Sequence, residues 1–279
     1  MKYPIEKNTV QETLIIPLYA RRLCSEHFPQ LFTDQTSAEL MDKIDYDFSD
    51  REKHADSTMY VFGALEVAMR QNDLAWEVRD YLKTHPRAAV VNLGCGLDNT
   101  GRICDNGMCR IYNLDLPDVI ALRNKLLPAG EREQNIAADL NNPAWMDDID
   151  GREGAVFFAA GVFYYFTREE ARTLFVTMAE RFPGGRLVFD SCGPLGVKIM
   201  LKAWVKEAGI HDVGAYLSVR DAASLEAWSP RIRASDRGYM LGYRKLGRDI
   251  KASYRLLAWM GDHLFGMKIV RLAFVTDHP

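Results

Sequence analysis

The chain has no apolar run long enough to cross a bilayer. Its most apolar stretch, residues 156–166, falls well short of the roughly 20 residues that a spanning helix needs. The opening of a secretory signal is missing too: residues 1–10 mix Lys2, Glu6 and Lys7, and the apolar residues 14–20 are broken by Pro17. Five cysteines, Cys24, Cys95, Cys104, Cys109 and Cys192, are odd in number and include no CxxC pair. A disulfide frame and a zinc site are therefore not expected, and reduced thiols in a metal-free cytoplasmic protein are. No charge of one sign dominates. With 35 basic and 38 acidic side chains and no Lys/Arg run, the net charge of -3 offers no surface for nucleic acid. Internal repeats and low-complexity segments are absent as well. What remains is 279 residues, 48% hydrophobic, enough for a full α/β core with a smaller accessory segment.

The pattern divides near His85-Pro86. Before it, helical spacing predicts helices over residues 11–24, 37–42 and 59–83, the last with Val61, Leu65, Ala68, Met69, Leu74, Val78, Tyr81 and Leu82. After it, short apolar runs at 88–93, 110–114, 135–138, 155–162 and 186–190 read as buried strands. Helices are expected at 116–127, 168–182 and 195–208. Strands alternating with helices predict right-handed crossovers and a parallel sheet. Near the end, residues 250–264 read as a helix and 268–275 as a closing strand. In residues 209–248 a short helix at 225–228 is expected, with a strand near Ile232 or over 240–243.

Ligands of open parallel sheets bind beyond the carboxyl ends of the strands. Three features fall there. The first is Asn92-Leu93-Gly94-Cys95-Gly96-Leu97-Asp98, whose glycines allow a tight turn and a close ligand. The second is Asp115, about 20 residues beyond Gly96, where a carboxylate can hold both ribose hydroxyls. The third is Asp139-Leu140, an acid for an adenine amino group and a side chain to cover the ring. Each feature alone is an ordinary turn or a helix-start acid. Together they predict an adenosine-containing ligand. A pyrophosphate would want a third glycine where Asn99 stands, and S-adenosylmethionine, which has no phosphate, would not.

The same residues resemble the leucine carboxyl methyltransferase superfamily, in particular its bacterial tetracenomycin-type polyketide O-methyltransferase branch. The resemblance rests on Thr13-Leu14-Ile15-Ile16-Pro17-Leu18-Tyr19-Ala20-Arg21, Ile44-Asp45-Tyr46-Asp47-Phe48, the segment from Val90 to Asp98, Asp115-Leu116-Pro117-Asp118-Val119, Ala160-Gly161-Val162-Phe163-Tyr164-Tyr165-Phe166 and Phe182-Pro183-Gly184. It implies a class I S-adenosylmethionine-dependent methyltransferase: an α/β, Rossmann-like fold with a mostly parallel seven-stranded sheet. An N-terminal helical cap, residues 1–85, would contribute to the substrate site, and residues 86–279 would form the core. The expected reaction is methylation of a carboxyl or acidic hydroxyl oxygen of a small molecule.

Carried over by position, Gly94, Gly96 and Asp98 line the methionine and ribose end, Asp115 and Leu116 the ribose, and Asp139 and Leu140 the adenine. Arg70 is the candidate partner of the cofactor carboxylate, Ala160 borders the pocket, and Tyr165 and Arg21 border the reacting groups. Ala160 stands where the family often has glutamate, and Ala75 where it often has aspartate. None of the six histidines has a partner at motif spacing; His211 beside Asp212 is the best candidate for a general base. A carboxylate acceptor needs none, which favours that acceptor or an acidic hydroxyl. Two other readings stand beside this one: a nicotinamide-dependent oxidoreductase on the same sheet, and a binding protein that kept only the cofactor pocket. The oligomeric state is not legible.

Overall fold

The computed structural model describes residues 2–5, 10–197 and 217–276. The expected helix beyond residue 197 and the His211–Asp212 pair lie outside them. A two-residue strand β1 (Tyr3–Pro4) pairs in parallel with β2 (Ile44–Asp45). Between and after them run the helices α1 (Val10–His27), α2 (Gln35–Lys43), α3 (Ser49–Glu52) and α4 (Thr58–Leu82). Local chemistry sets their starts: Asp34 accepts from Ser37 N at 3.1 Å, and Ser57 accepts from Tyr60 N at 3.3 Å.

The core follows as β3 (Ala89–Leu93), α5 (Thr100–Ile103), β4 (Arg110–Asp115), α6 (Pro117–Leu126), β5 (Glu133–Ala137), β6 (Ala155–Ala159), α7 (Arg168–Arg181) and β7 (Arg186–Ser191). Then come β8 (Ile232–Gly238), α8 (Ala252–His263) and β9 (Lys268–Phe274). Pro117 opens α6 where its missing N–H costs nothing, and a reciprocal Thr167–Glu170 capping box opens α7.

The seven-stranded sheet has the order β5-β4-β3-β6-β7-β9-β8. Its first five strands are parallel, while β9 runs antiparallel to both β7 and β8. Central strands are buried on both faces, as parallel strands covered by helices must be. Val90, Val156, Phe158 and Val188 join one core with α1, α2, α4, α6 and α8. Their neighbours Val91, Phe157, Ala159, Leu187 and Phe189 point the other way, into a second core with α7. The chain goes from β3 outward to β4 and β5, then returns to β6 on the other side. That reversal places the ligand crevice at the ends of β3 and β6.

Helix α4 links the N-terminal helices to the sheet. It packs along α1 and also against β6 and β7. It runs antiparallel to those strands. Tyr81, near its end, donates to Gly184 O at 3.0 Å below β7, while Arg70 reaches Asp190 near the top of β7. Among the described residues, no helix is long and apolar enough to cross a membrane.

Three expectations need correction. The strand expected over 155–162 stops at Ala159, because Gly161 takes a φ of 73° that leaves the β region. Residues 240–243 form turns instead of a strand; Met240 N and Leu241 N donate to the Asp262 carboxylate at 3.1 and 2.9 Å. The short helix expected at 225–228 is a longer 3-10 segment, Ala222–Trp228.

Candidate active site

Two glycine turns meet at the switch point. Gly94 and Gly96 have φ of 64° and 46°, the left-handed region that other residues resist. A Cβ on Gly94 would sit 2.5 Å from Val162 Cγ2, so the loop after β3 closes directly on the loop after β6. One on Gly96 would come within 3.0 Å of Leu14 Cδ2, which brings the cap over the same turn. Only glycine permits these close approaches.

Asp115, at the end of β4, accepts from Gly96 N at 2.7 Å and from Leu116 N at 2.8 Å. Each oxygen keeps a lone pair for a diol. Burial raises its pKa, and the two N–H donors pull it back down. Leu116 is partly exposed beside it. Asp139 is exposed at the end of the next turn and accepts from Asn141 N at 2.9 Å. Leu140 is buried, its side chain in the core shared with Trp145.

Asp98 and Arg21 turn out to be braces. Asp98 accepts from Gln71 Nε2 (2.8 Å), Asn92 Nδ2 (3.0 Å), Thr100 Oγ1 (2.8 Å) and Thr100 N (3.2 Å). Its carboxylate is fully used in shaping the loop, and it occupies the start of α5. The position where a dinucleotide would put its pyrophosphate is therefore filled by the protein's own anion. Arg21 is buried and does not reach an open surface. It bonds Asp34 at 2.9 Å, Ser37 Oγ at 3.0 Å and Leu97 O at 3.2 Å, and so ties α1 and α2 to the glycine loop.

Arg70 projects from α4 to the ends of β6 and β7. It donates to Asp190 Oδ2 at 2.9 Å, while Asp190 Oδ1 accepts from Gly161 N at 2.6 Å. A Cβ on Gly161 would lie 3.1 Å from Arg70 Nη1. Arg70 Nε has no hydrogen-bond partner. A guanidinium with unspent donors, beside a glycine cradle and a carboxylate with free lone pairs, fits the carboxylate and ribose of an adenosyl amino acid. Ala160 is half-buried at this rim, and Tyr165 stands half-exposed on the turn after β6. Even so, desolvation raises the Tyr165 pKa, and nearby Arg70 opposes the rise. Phe163 and Phe166 are core residues, with Phe163 edge-on to Phe175 and Phe189 at 4.9 and 5.1 Å. Ala75 is buried against Cys104, so the carboxylate it lacks would have no water there.

Three residues escaped the sequence reading. Asp190 carries a carboxylate at a strand end, the signal that identified Asp115. Arg123 and Gln71 gave no signal. Arg123 is fully buried and donates to Gly96 O at 2.8 Å and Asp98 O at 2.7 Å, which clamps the glycine loop from below. Among the described residues, no three His, Cys, Asp or Glu side chains group to hold a metal.

Known proteins resemble this chain in sequence and fold. The chain is 28% identical over 233 residues to the tetracenomycin polyketide synthesis O-methyltransferase TcmP of Streptomyces glaucescens, covering 83% of each chain. It is 27% identical over 257 residues to an S-adenosyl-L-methionine-dependent methyltransferase, dpfgK, of Gibberella zeae, covering 85% of each. Its fold matches a putative methyltransferase crystal structure from Thermobifida fusca with a TM-score of 0.58 at 14% identity, over 92% of this chain and 94% of that one. The family model for leucine carboxyl methyltransferases matches residues 8–179. The oxidoreductase reading is thereby set aside, and the chain belongs to the leucine carboxyl methyltransferase family of S-adenosylmethionine-dependent O-methyltransferases.

Proposed function

We propose that the protein methylates an oxygen of a small, flat, polyketide-like acceptor held between the helical cap and the ends of β6 and β7. One observation carries this reading. The face of α4 formed by Tyr60, Gly63, Glu66, Val67 and Arg70 is only half-buried, although its neighbours Phe62, Leu65, Ala68 and Met69 are buried. That face runs from Arg70 outward to aromatic rings of the cap. Tyr19 stacks on Phe48 at 5.8 Å and meets Tyr60 edge-on at 6.1 Å. Aromatic walls suit a planar acceptor, and the acceptor class named for TcmP is in keeping with them.

In this reading the cofactor supplies an electrophilic methyl on a sulfonium. Arg70 binds its carboxylate, Asp115 and Leu116 its ribose, Asp139 and the Leu140 backbone its adenine, and Gly94, Gly96 and Ala160 the path between. Tyr165 borders the acceptor. Residues 1–85 act as the acceptor-shaping cap and residues 86–279 as the cofactor core. Alignment supplies most of the acceleration, because an in-line displacement depends on holding oxygen and methyl close. Five buried thiols without a disulfide fit a reducing cytoplasm.

The test uses methyl-labelled S-adenosylmethionine with a panel of aromatic polyketide acids and phenols. Label is expected in an ester or ether of at least one of them. Binding of S-adenosylhomocysteine without transfer to any oxygen would favour a protein that binds the cofactor and does no chemistry.

A further inference from the structure

The cofactor reading leaves one carboxylate unused. Glu66 precedes Arg70 by one turn of α4, so it stands about 6 Å further out along the helix, between Arg70 and the aromatic cap. The buried acids on or against this helix, Asp73, Glu77 and Asp190, each hold an arginine. Glu66 has neither a hydrogen-bond nor an ion-pair partner among the described residues, although it is only partly accessible. Among the described residues its charged and titratable neighbours come from four elements. They are Arg70 on its own helix, Cys192 after β7, Tyr239 after β8 and Asp262 on α8. Arg70, the one cation among them, makes its ion pair with Asp190 and none with Glu66. Leaving an acid unpaired on a half-buried face is not how this fold treats its structural acids.

We propose that Glu66 is the general base of the reaction, taking the proton of an acceptor hydroxyl as that oxygen attacks the methyl group. The proposal rests on the methyltransferase reading above and narrows it to a protonated hydroxyl, where the sequence favoured a carboxylate or an already acidic hydroxyl. The acceptor oxygen forms its bond to the methyl carbon with a lone pair, and its proton passes to the Glu66 carboxylate. The carbon–sulfur bond breaks with its electrons left on sulfur, which converts the sulfonium to neutral S-adenosylhomocysteine. Glu66 then returns the proton to water once the products leave.

The environment suits this role. Burial, with Asp262 adding to it, pushes the Glu66 carboxyl up to about 8, against the pull of Arg70. A base in that range matches a phenol near 10 better than an ordinary carboxylate does. The incoming sulfonium adds a positive charge nearby, and that charge favours the ionised form Glu66 needs. S-Adenosylhomocysteine, a neutral thioether, does not.

The discriminating measurement counts protons. Calorimetric titrations near pH 7 in two buffers of different ionisation enthalpy should show that S-adenosylmethionine releases more protons than S-adenosylhomocysteine. Glu66→Gln should abolish the difference. This variant mimics the neutral side chain and is expected to fold. On a phenolic acceptor it should lower kcat by about 10²–10⁴-fold while S-adenosylhomocysteine still binds, and Glu66→Asp should recover part of the rate. An unchanged proton count, or an unchanged kcat on a hydroxyl acceptor, would overturn the role of Glu66 alone. A wild-type protein that binds neither ligand would overturn the cofactor reading beneath it as well.

Discussion

Asp115 braces the glycine turn and, in the proposed reading, holds the cofactor ribose; Asp115→Ala separates the two roles by magnitude. Its carboxylate holds the buried Gly96 N–H and the more exposed Leu116 N–H. Water can replace the second bond but not the first. Leaving one buried N–H without an acceptor costs about 1–3 kcal/mol. A chain of 279 residues loses about 2 °C of Tm per kcal/mol, so the melting temperature should fall by about 2–6 °C. The ribose loses more. Two hydroxyls bonded to a charged acceptor contribute about 1.5–3 kcal/mol each, so the Kd for S-adenosylhomocysteine should rise about 10²- to 10⁴-fold. Calorimetry gives the Kd and differential scanning fluorimetry the Tm. An affinity within about threefold of wild type, less than 1 kcal/mol, would refute the ribose assignment. A fall in Tm far beyond that range would show that the loop had collapsed, and the loss of binding would then say nothing about direct contact.

Three further outcomes follow from the packing and the charges. Phe163→Ala empties the centre of an aromatic cluster and should cost about 3–5 kcal/mol in chemical denaturation. Asp34→Ala removes the partner of buried Arg21 together with the cap of α2 and should cost at least about 3 kcal/mol; a loss below 1 kcal/mol would mean that Arg21 is not a brace. Glu66 and Asp73 both have carboxyls raised to about 8 by burial. In such a case the folded state binds more protons than the unfolded one between about pH 4.5 and pH 8, so stability should fall as pH rises through that window and level off above it. Glu66→Gln should flatten part of the fall in denaturant midpoints measured at pH 5 and pH 8; equal slopes would place its carboxyl in ordinary solvent.

The legible parts of the site are those that a strand and its turn determine locally. Gly94 and Gly96 announce a left-handed turn wherever the sheet places them, and Asp115 follows from the length of one β–α–β unit. Arg70 and Asp190 meet across 120 residues, and no spacing rule pairs them. In the sequence, the motif that ends at Arg21 puts this residue beside the reacting groups. The side chains that claim it, Asp34 and Ser37, come from the next helix and become neighbours only when the cap folds. Glu66 was invisible for a related reason. On a long helix a carboxylate has no meaning until the covered faces are known, and α4 is covered by cap, sheet and C-terminal turns. The sheet itself was easier, since runs such as residues 155–159 are apolar on both faces. β8 was legible only as a guess, because much of its surface faces solvent and its sequence holds Arg233, Asp236 and Arg237.

The place of β9 has a consequence for how the polypeptide is made. This strand, the last of the sheet in sequence, lies inside it, between β7 and β8. Until Phe274 has been synthesised, β8 has nothing to join and the edge of β7 stays open, a ready template for another nascent chain. The cofactor turns after β3 and β4 can form early, yet Asp190, the anchor of Arg70, sits on that unfinished strand. The growing chain thus keeps one edge of Asp190's strand unpaired until the last strand of the sheet arrives.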